Sequence, residues 1–213
     1  MAQSTPEIRA LRRRLRALRR SLPDDERLAA ERAIGHSLLR LRLFRRGYRM
    51  AVYLAMPGEV RLRPSIEAAW RAGCILYVPR ISSRRRGTML FVPLLPGARL
   101  RPNAYGIAEP VTSASARIGS RRLDAVLMPV VGFDRLGNRL GMGAGYYDRA
   151  LRRLRDGSRR WRRPRLIGLA FACQEVERIV PSEWDIPLDV VVTERGIVVP
   201  DRQHPNCQPR SSP

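Results

Sequence analysis

The stretch "MAVYLAMPGEVRLRPSIEAAWRAGCILYVPRI", residues 50–81, changes its hydrophobic rhythm twice. Residues 50–56 are a short apolar run closed by the turn signal Pro57-Gly58, as expected for a strand buried on both faces. The following segment to Cys74 reads as a helix that starts at Pro64 and stops at Gly73. Residues 75–81, "ILYVPRI", read as a second strand. Strand, helix and strand in succession make a βαβ unit, which is built as a parallel sheet.

The alternation continues on either side. Upstream, Ile8, Leu11, Leu15, Leu18 and Leu22 share one face of a helix whose other faces carry arginine. Pro23 with Asp24, Asp25 and Glu26 marks the start of a second helix. Downstream, residues 88–95, 123–133, 165–171 and 188–200 predict further strands, the last a strand or a hairpin. The expectation is an α/β fold: a three-layer α/β/α sandwich with a mainly parallel sheet and the two opening helices lying against it. It forms a single domain over residues 1–200, and residues 201–213, rich in proline and serine, are expected to be disordered.

The chain carries 41 basic residues against 19 acidic, and all 41 are arginine. A net charge of +22 predicts non-specific attraction to polyanions, but it speaks to solubility rather than to fold. The basic runs lack the interleaved aromatic residues of an RNA-binding surface, so no specific nucleic-acid partner is expected. Cys74, Cys173 and Cys207 lie far apart, which fits neither a disulfide framework nor a zinc site and suits a reducing compartment. No apolar run is long enough for a membrane span, and the arginine-rich start lacks the apolar core of a signal peptide. A cytoplasmic, monomeric protein is expected.

Glycine recurs at 137, 141, 143 and 145, just past the strand at 123–133 and just before Tyr146, Tyr147 and Asp148. In open α/β sheets ligands bind beyond the carboxyl ends of strands, and a glycine-rich turn into a helix offers N–H groups to phosphate. A dinucleotide-binding G-x-G-x-x-G would need glycine where Tyr146 stands, and a P-loop needs a lysine that the chain lacks. Taken alone, Asp148 would serve equally as a favourable charge in the first turn of its helix, and Glu59 as a solvent-facing acid after a turn.

"LMPVVGFDRLGNRLGMGAGYYDRAL" closely resembles the signature of the 5-formyltetrahydrofolate cyclo-ligase family, also called 5,10-methenyltetrahydrofolate synthetases. "VYLAMPGEV", "WRAGCILYVPRI", "NAYGIAEP" and "VPSEWDIPLDVVVT" resemble other family segments in the family order, so the likeness spans about residues 8 to 200. The resemblance implies ATP- and Mg2+-dependent conversion of 5-formyltetrahydrofolate, with or without a polyglutamate tail, to 5,10-methenyltetrahydrofolate through a phosphorylated formyl group. It also implies roles. Arg139, Leu140, Gly141, Met142, Gly143, Ala144, Gly145, Tyr146 and Tyr147 match the nucleotide-binding loop, with Arg139, Tyr146 and Asp148 at the chemistry. Asp148 and Asp185 match magnesium ligands. Leu54, Glu59 and residues Met142 to Tyr146 match the folate-contacting positions.

The first helix departs from the family pattern. The family has Lys-x-x-Leu-Arg there, whereas this chain has "IRALR" at 8–12, so Ile8 replaces the lysine. Arg12 matches the arginine, and Arg9 offers a charge one position along, about 100° around the helix. Two other readings stay open on residues alone: an arginine-rich RNA-binding module, and a nucleotide-binding protein that has lost catalysis.

Overall fold

The computed structural model describes residues 5–81, 89–103, 106–112, 116–152 and 163–201. The expected tail beyond Asp201 and most of the arginine run 152–165 lie outside them. The chain opens with α1 (Pro6–Arg20) and α2 (Asp24–Arg40), then β1 (Arg49–Ala51), α3 (Arg63–Arg71) and β2 (Ile75–Ile81). Next come β3 (Met89–Pro93), the small pair β4 (Leu100–Pro102) and β5 (Ala108–Pro110), and β6 (Ala125–Pro129). A second small pair, β7 (Gly132–Phe133) and β8 (Arg139–Leu140), precedes α4 (Tyr146–Leu151). β9 (Arg165–Leu169), β10 (Val190–Thr193) and β11 (Gly196–Val198) complete the order.

Seven strands form the central sheet in the order β11-β10-β9-β6-β1-β2-β3. β2, β1, β6, β9 and β10 are mutually parallel, and the edge strands β3 and β11 are antiparallel to their neighbours. The expected mainly parallel α/β sheet is therefore the architecture found. Side chains alternate across it, as pleating requires. Ala125 and Leu127 of β6, with Val190 and Val192 of β10, meet Ile34 and Leu38 of α2 and Ile66 and Ala69 of α3. Val126, Met128 and Val191 point the other way, to Leu151 of α4 and to Ile186 and Leu188.

Three expectations need correction. The first strand ends at Ala51 rather than at residue 56, because an apolar run predicts burial but does not by itself set extension. Val52 and Tyr53 are buried in irregular chain past the strand, where the Tyr53 hydroxyl donates to the Val60 carbonyl at 2.9 Å. The long apolar run at 123–133 is split, β6 ending at Pro129 before the chain turns into the β7–β8 pair.

The third correction concerns α1. Of the two opening helices, only α2 makes substantial contact with the sheet, at β10 and β11. α1 packs instead through Ile8, Leu11 and Leu15 onto Val131, Leu140 and Ile179, beyond the strand ends. Full burial of Leu15 contributes about 2 kcal/mol to that attachment. Its stripe then turns: Leu18 is 43% exposed, and Arg19, 2% exposed, goes inward in its place.

Candidate active site

β1, β6 and β9 are parallel neighbours, so the chain that leaves each of them emerges at one edge of the sheet. Those three exits carry Glu59, the glycine loop and Asp185. The topology thus gathers residues far apart in sequence at the edge where α/β sheets bind ligands.

The glycine loop is held from behind by Asp134. This aspartate is fully buried, and its Oδ1 accepts from the backbone N–H of Leu136 and Asn138 at 3.0 and 2.9 Å. Its Oδ2 accepts from Asn138 Nδ2 and the Ile179 N–H, each at 2.9 Å. Each carboxylate oxygen so receives two protein donors, and the β7–β8 turn is fastened to the chain that follows β9.

From that anchor the loop runs out to solvent. Met142, Gly143 and Ala144 are exposed. Gly143 and Gly145 have φ of +99° and +63°, a left-handed backbone that a residue with a Cβ adopts at a cost. Arg12 reaches the loop from α1, its Nε donating to the Gly141 carbonyl at 2.9 Å, and its guanidinium lies 3.6 Å from where a Cβ on Gly143 would be. Partial burial draws the Arg12 pKa down, and the charge of Asp185 acts against that shift. Asp185 is held in turn by the Ser182 N–H at 2.8 Å.

Arg139 sits beneath the loop. It is 7% exposed and donates through Nη1 to the Ile186 carbonyl and through Nη2 to Asp148 Oδ1. One guanidinium therefore ties the aspartate that follows the loop to the segment that carries the other predicted metal ligand. The Asp148 side chain remains a quarter exposed, beside a cleft lined by Asp148, Arg149, Arg152 and Trp184. Arg149 also donates to the Ala144 carbonyl at 2.7 Å and lies over the Tyr146 ring, 5.1 Å from its centroid.

Glu59 approaches from the β1 side and is 7% exposed. Its Oε2 accepts the Met56 N–H at 3.0 Å, and Arg19 Nη2 stands 3.9 Å from its Oε1. Burial raises the Glu59 pKa, and the Met56 N–H, Arg19 and Arg16 oppose the rise. Tyr147, the second residue of α4, packs against the core. Burial and then the negative charge of Glu59 push its phenol well above the ordinary value, while Arg139 pulls it down.

Most of the anticipated residues come together. Arg12, Arg139, the loop 141–145, Asp148 and Asp185 adjoin one another, and Glu59 follows the neighbouring strand β1. Leu54 is half-buried against the core, and Ile8 is half-buried in the apolar cluster around Leu15 and Leu140. The position that the family pattern gives to lysine is therefore spent on packing, with exposed Arg9 beside it. Arg19 and Asp134 were not anticipated. Asp134 leaves no periodic trace, but Arg19 lies four residues after Leu15, in phase with the buried stripe. Among the described residues no group of three or more His, Cys, Asp or Glu gathers as a metal cage.

Known proteins resemble this chain in sequence and in fold. A 5-formyltetrahydrofolate cyclo-ligase of Haemophilus influenzae is 31% identical over 192 residues, covering 89% of this chain and 99% of its own. The 5-formyltetrahydrofolate cyclo-ligase of Escherichia coli K12 is 39% identical over 146 residues, 68% of this chain and 76% of its own. The solution structure of Aquifex aeolicus 5,10-methenyltetrahydrofolate synthetase superposes with a TM-score of 0.73 at 27% identity, covering 96% of this chain and 98% of that one. The model of the 5-formyltetrahydrofolate cyclo-ligase family matches residues 4–194, and the chain belongs to that family.

Proposed function

We propose that the protein converts 5-formyltetrahydrofolate and ATP to 5,10-methenyltetrahydrofolate, ADP and phosphate. The observation that carries the reading is the meeting, beyond the ends of neighbouring parallel strands, of an open glycine loop backed by Arg12 and of buried Glu59. An amide oxygen is a poor leaving group. Attack of the formyl oxygen on the γ-phosphorus of ATP converts it to a phosphate ester and releases ADP. The folate N10 then adds to the formyl carbon, loses its proton, and expels phosphate as the ring closes.

In such a reaction the protein positions groups and stabilises charge. The loop from Gly141 to Gly145, exposed at residues 142–144, and the Arg12 guanidinium face the phosphates of ATP. Glu59 accepts N–H groups of the pterin ring, and does so with both oxygens only when ionised. Met142 and Tyr146 offer a soft and a flat surface to the folate. Arg139 orients Asp148 and brings positive charge beneath the transferring phosphoryl group.

The donor set suits magnesium. Asp148 keeps an exposed face while Arg139 links it to the Asp185 segment, so these two carboxylates would hold the ion and leave places for water and phosphate oxygens. The ion would supply neutralisation of charge on those oxygens. The reading takes the protein as a cytoplasmic monomer, and the free thiols of Cys74 and Cys173 suit the reducing compartment.

The test is spectrophotometric. Protein mixed with 5-formyltetrahydrofolate at neutral pH is followed by the near-ultraviolet absorbance of the methenyl product, with and without ATP and magnesium. Product that requires both is the expected result. A folded protein that binds ATP and gives no product overturns the reading.

A further inference from the structure

Where the apolar stripe of α1 has Leu18, the helix sends Arg19 into the protein. Arg19 is 2% exposed, its Nε is buried with no hydrogen-bond partner, and the acid it faces is Glu59, 3.9 Å from Nη2 to Oε1. The turn that carries Glu59 packs closely on the helix: a Cβ at Gly58 would stand 3.1 Å from Arg20 Cγ and 3.5 Å from Arg19 Nε. Arg19 therefore has almost no surface of its own, and what it does for a ligand it does through Glu59.

We propose that Arg19 is a positioning residue, holding the Glu59 carboxylate ionised and aimed for the N–H groups of the folate ring without touching the substrate. This rests on the folate reading of Glu59 given above. The groups that face Glu59 are Arg16 and Arg19 from α1, the Met56 N–H and Tyr53 from its own turn, and Tyr147 from α4, with Glu31 of α2 facing Tyr53. Burial favours the neutral acid, and the two arginines and the Met56 N–H favour the carboxylate. A protonated Glu59 presents an O–H to a ring that itself offers N–H, so binding weakens wherever the proton stays on.

The experiment follows the KM for 5-formyltetrahydrofolate against pH in the unmodified protein and in Arg19→Gln, Arg19→Met, Arg19→Lys and Glu59→Gln, with the KM for ATP as internal control. Removing the Arg19 charge raises the Glu59 pKa. The acid limb, where the folate KM climbs, therefore moves to higher pH by about one unit in both neutral variants. Arg19→Lys returns the limb toward its original place, and the KM for ATP stays within about twofold throughout. Glu59→Gln removes the limb and raises the folate KM about tenfold.

Neutral variants whose limb overlays that of the unmodified protein overturn the role of Arg19. The Glu59→Gln result then stands alone in support of the folate reading. An unchanged folate KM in Glu59→Gln instead overturns the folate reading of Glu59, and the role of Arg19 with it. One neutral variant is polar and the other fills the apolar volume of the arginine stem, so the outcome does not depend on the fold of either. A limb in Arg19→Lys displaced as far as in the neutral variants also overturns the proposal, since positive charge at that position is then not what sets the limb.

Discussion

Asp134 and Asp148 sit at the two ends of one loop-bearing segment and are used in opposite ways. Asp134 is fully buried, and both its oxygens are filled by donors of the protein itself. Asp148 is a quarter exposed, is held from one side by Arg139, and borders an arginine-lined cleft. A carboxylate whose acceptor sites are all occupied has nothing left to offer a ligand, while one anchored at a single oxygen keeps its orientation and an open face. The first aspartate builds the platform and the second stands on it.

The largest effect expected is on chemistry. Asp148→Asn lowers kcat/KM in the methenyl assay by about a thousandfold, the scale for losing a charge that acts on the transition state. Its unfolding free energy falls by about 2 kcal/mol, because an amide oxygen still accepts from buried Arg139 but no longer balances its charge. Asp134→Asn should act on stability alone. The amide nitrogen meets two N–H donors where an oxygen stood, and stability falls by about 3 kcal/mol, read from the midpoint of urea unfolding. Activity per folded molecule is largely kept. Were Asp134→Asn to lower activity per folded molecule as Asp148→Asn does, the division between platform and site would be broken.

Two glycines sharpen the same contrast at smaller scale. A Cβ at Gly137 would lie 2.8 Å from Pro200 Cγ and 2.9 Å from the Leu188 carbonyl oxygen, on a backbone with φ of +83°. Gly137→Ala therefore costs about 2 kcal/mol of stability, measured by urea unfolding, with little change in KM for ATP. At Gly143 the nearest atom to a Cβ is Arg12 Cζ at 3.6 Å, so Gly143→Ala costs about 1 kcal/mol from the φ of +99° alone. Its effect is expected in a severalfold rise of the KM for ATP.

Much of the site was legible in the sequence. The glycines at 141, 143 and 145 stand out because glycine needs a reason, and two of the three have a left-handed backbone. Placing that loop past a parallel strand was sufficient to predict a ligand at the sheet edge, and the strands that put it there are present. Arg139 and Asp148 were both anticipated, but their ion pair was not, since nothing in the spacing of the two residues says that one guanidinium reaches back across the loop. Glu59 read equally as a surface acid. Its burial follows from a turn that closes on itself through Tyr53 and Val60, and from α1 lying across it.

The sequence by itself determined the order of strands and helices, the parallel character of the sheet and the place of the glycine loop. All three follow from local periodicity and from residues with restricted or unusually free backbones, and both are properties of neighbours in the chain. Tertiary structure decided where the first strand stops, which face α1 turns inward at Leu18 and Arg19, and which charges pair. Adjacent helix positions differ by only about 100°, so the periodic signal is nearly indifferent between them. A buried carboxylate far along the chain settles it, because a charge inside the protein requires a partner and a leucine cannot be one.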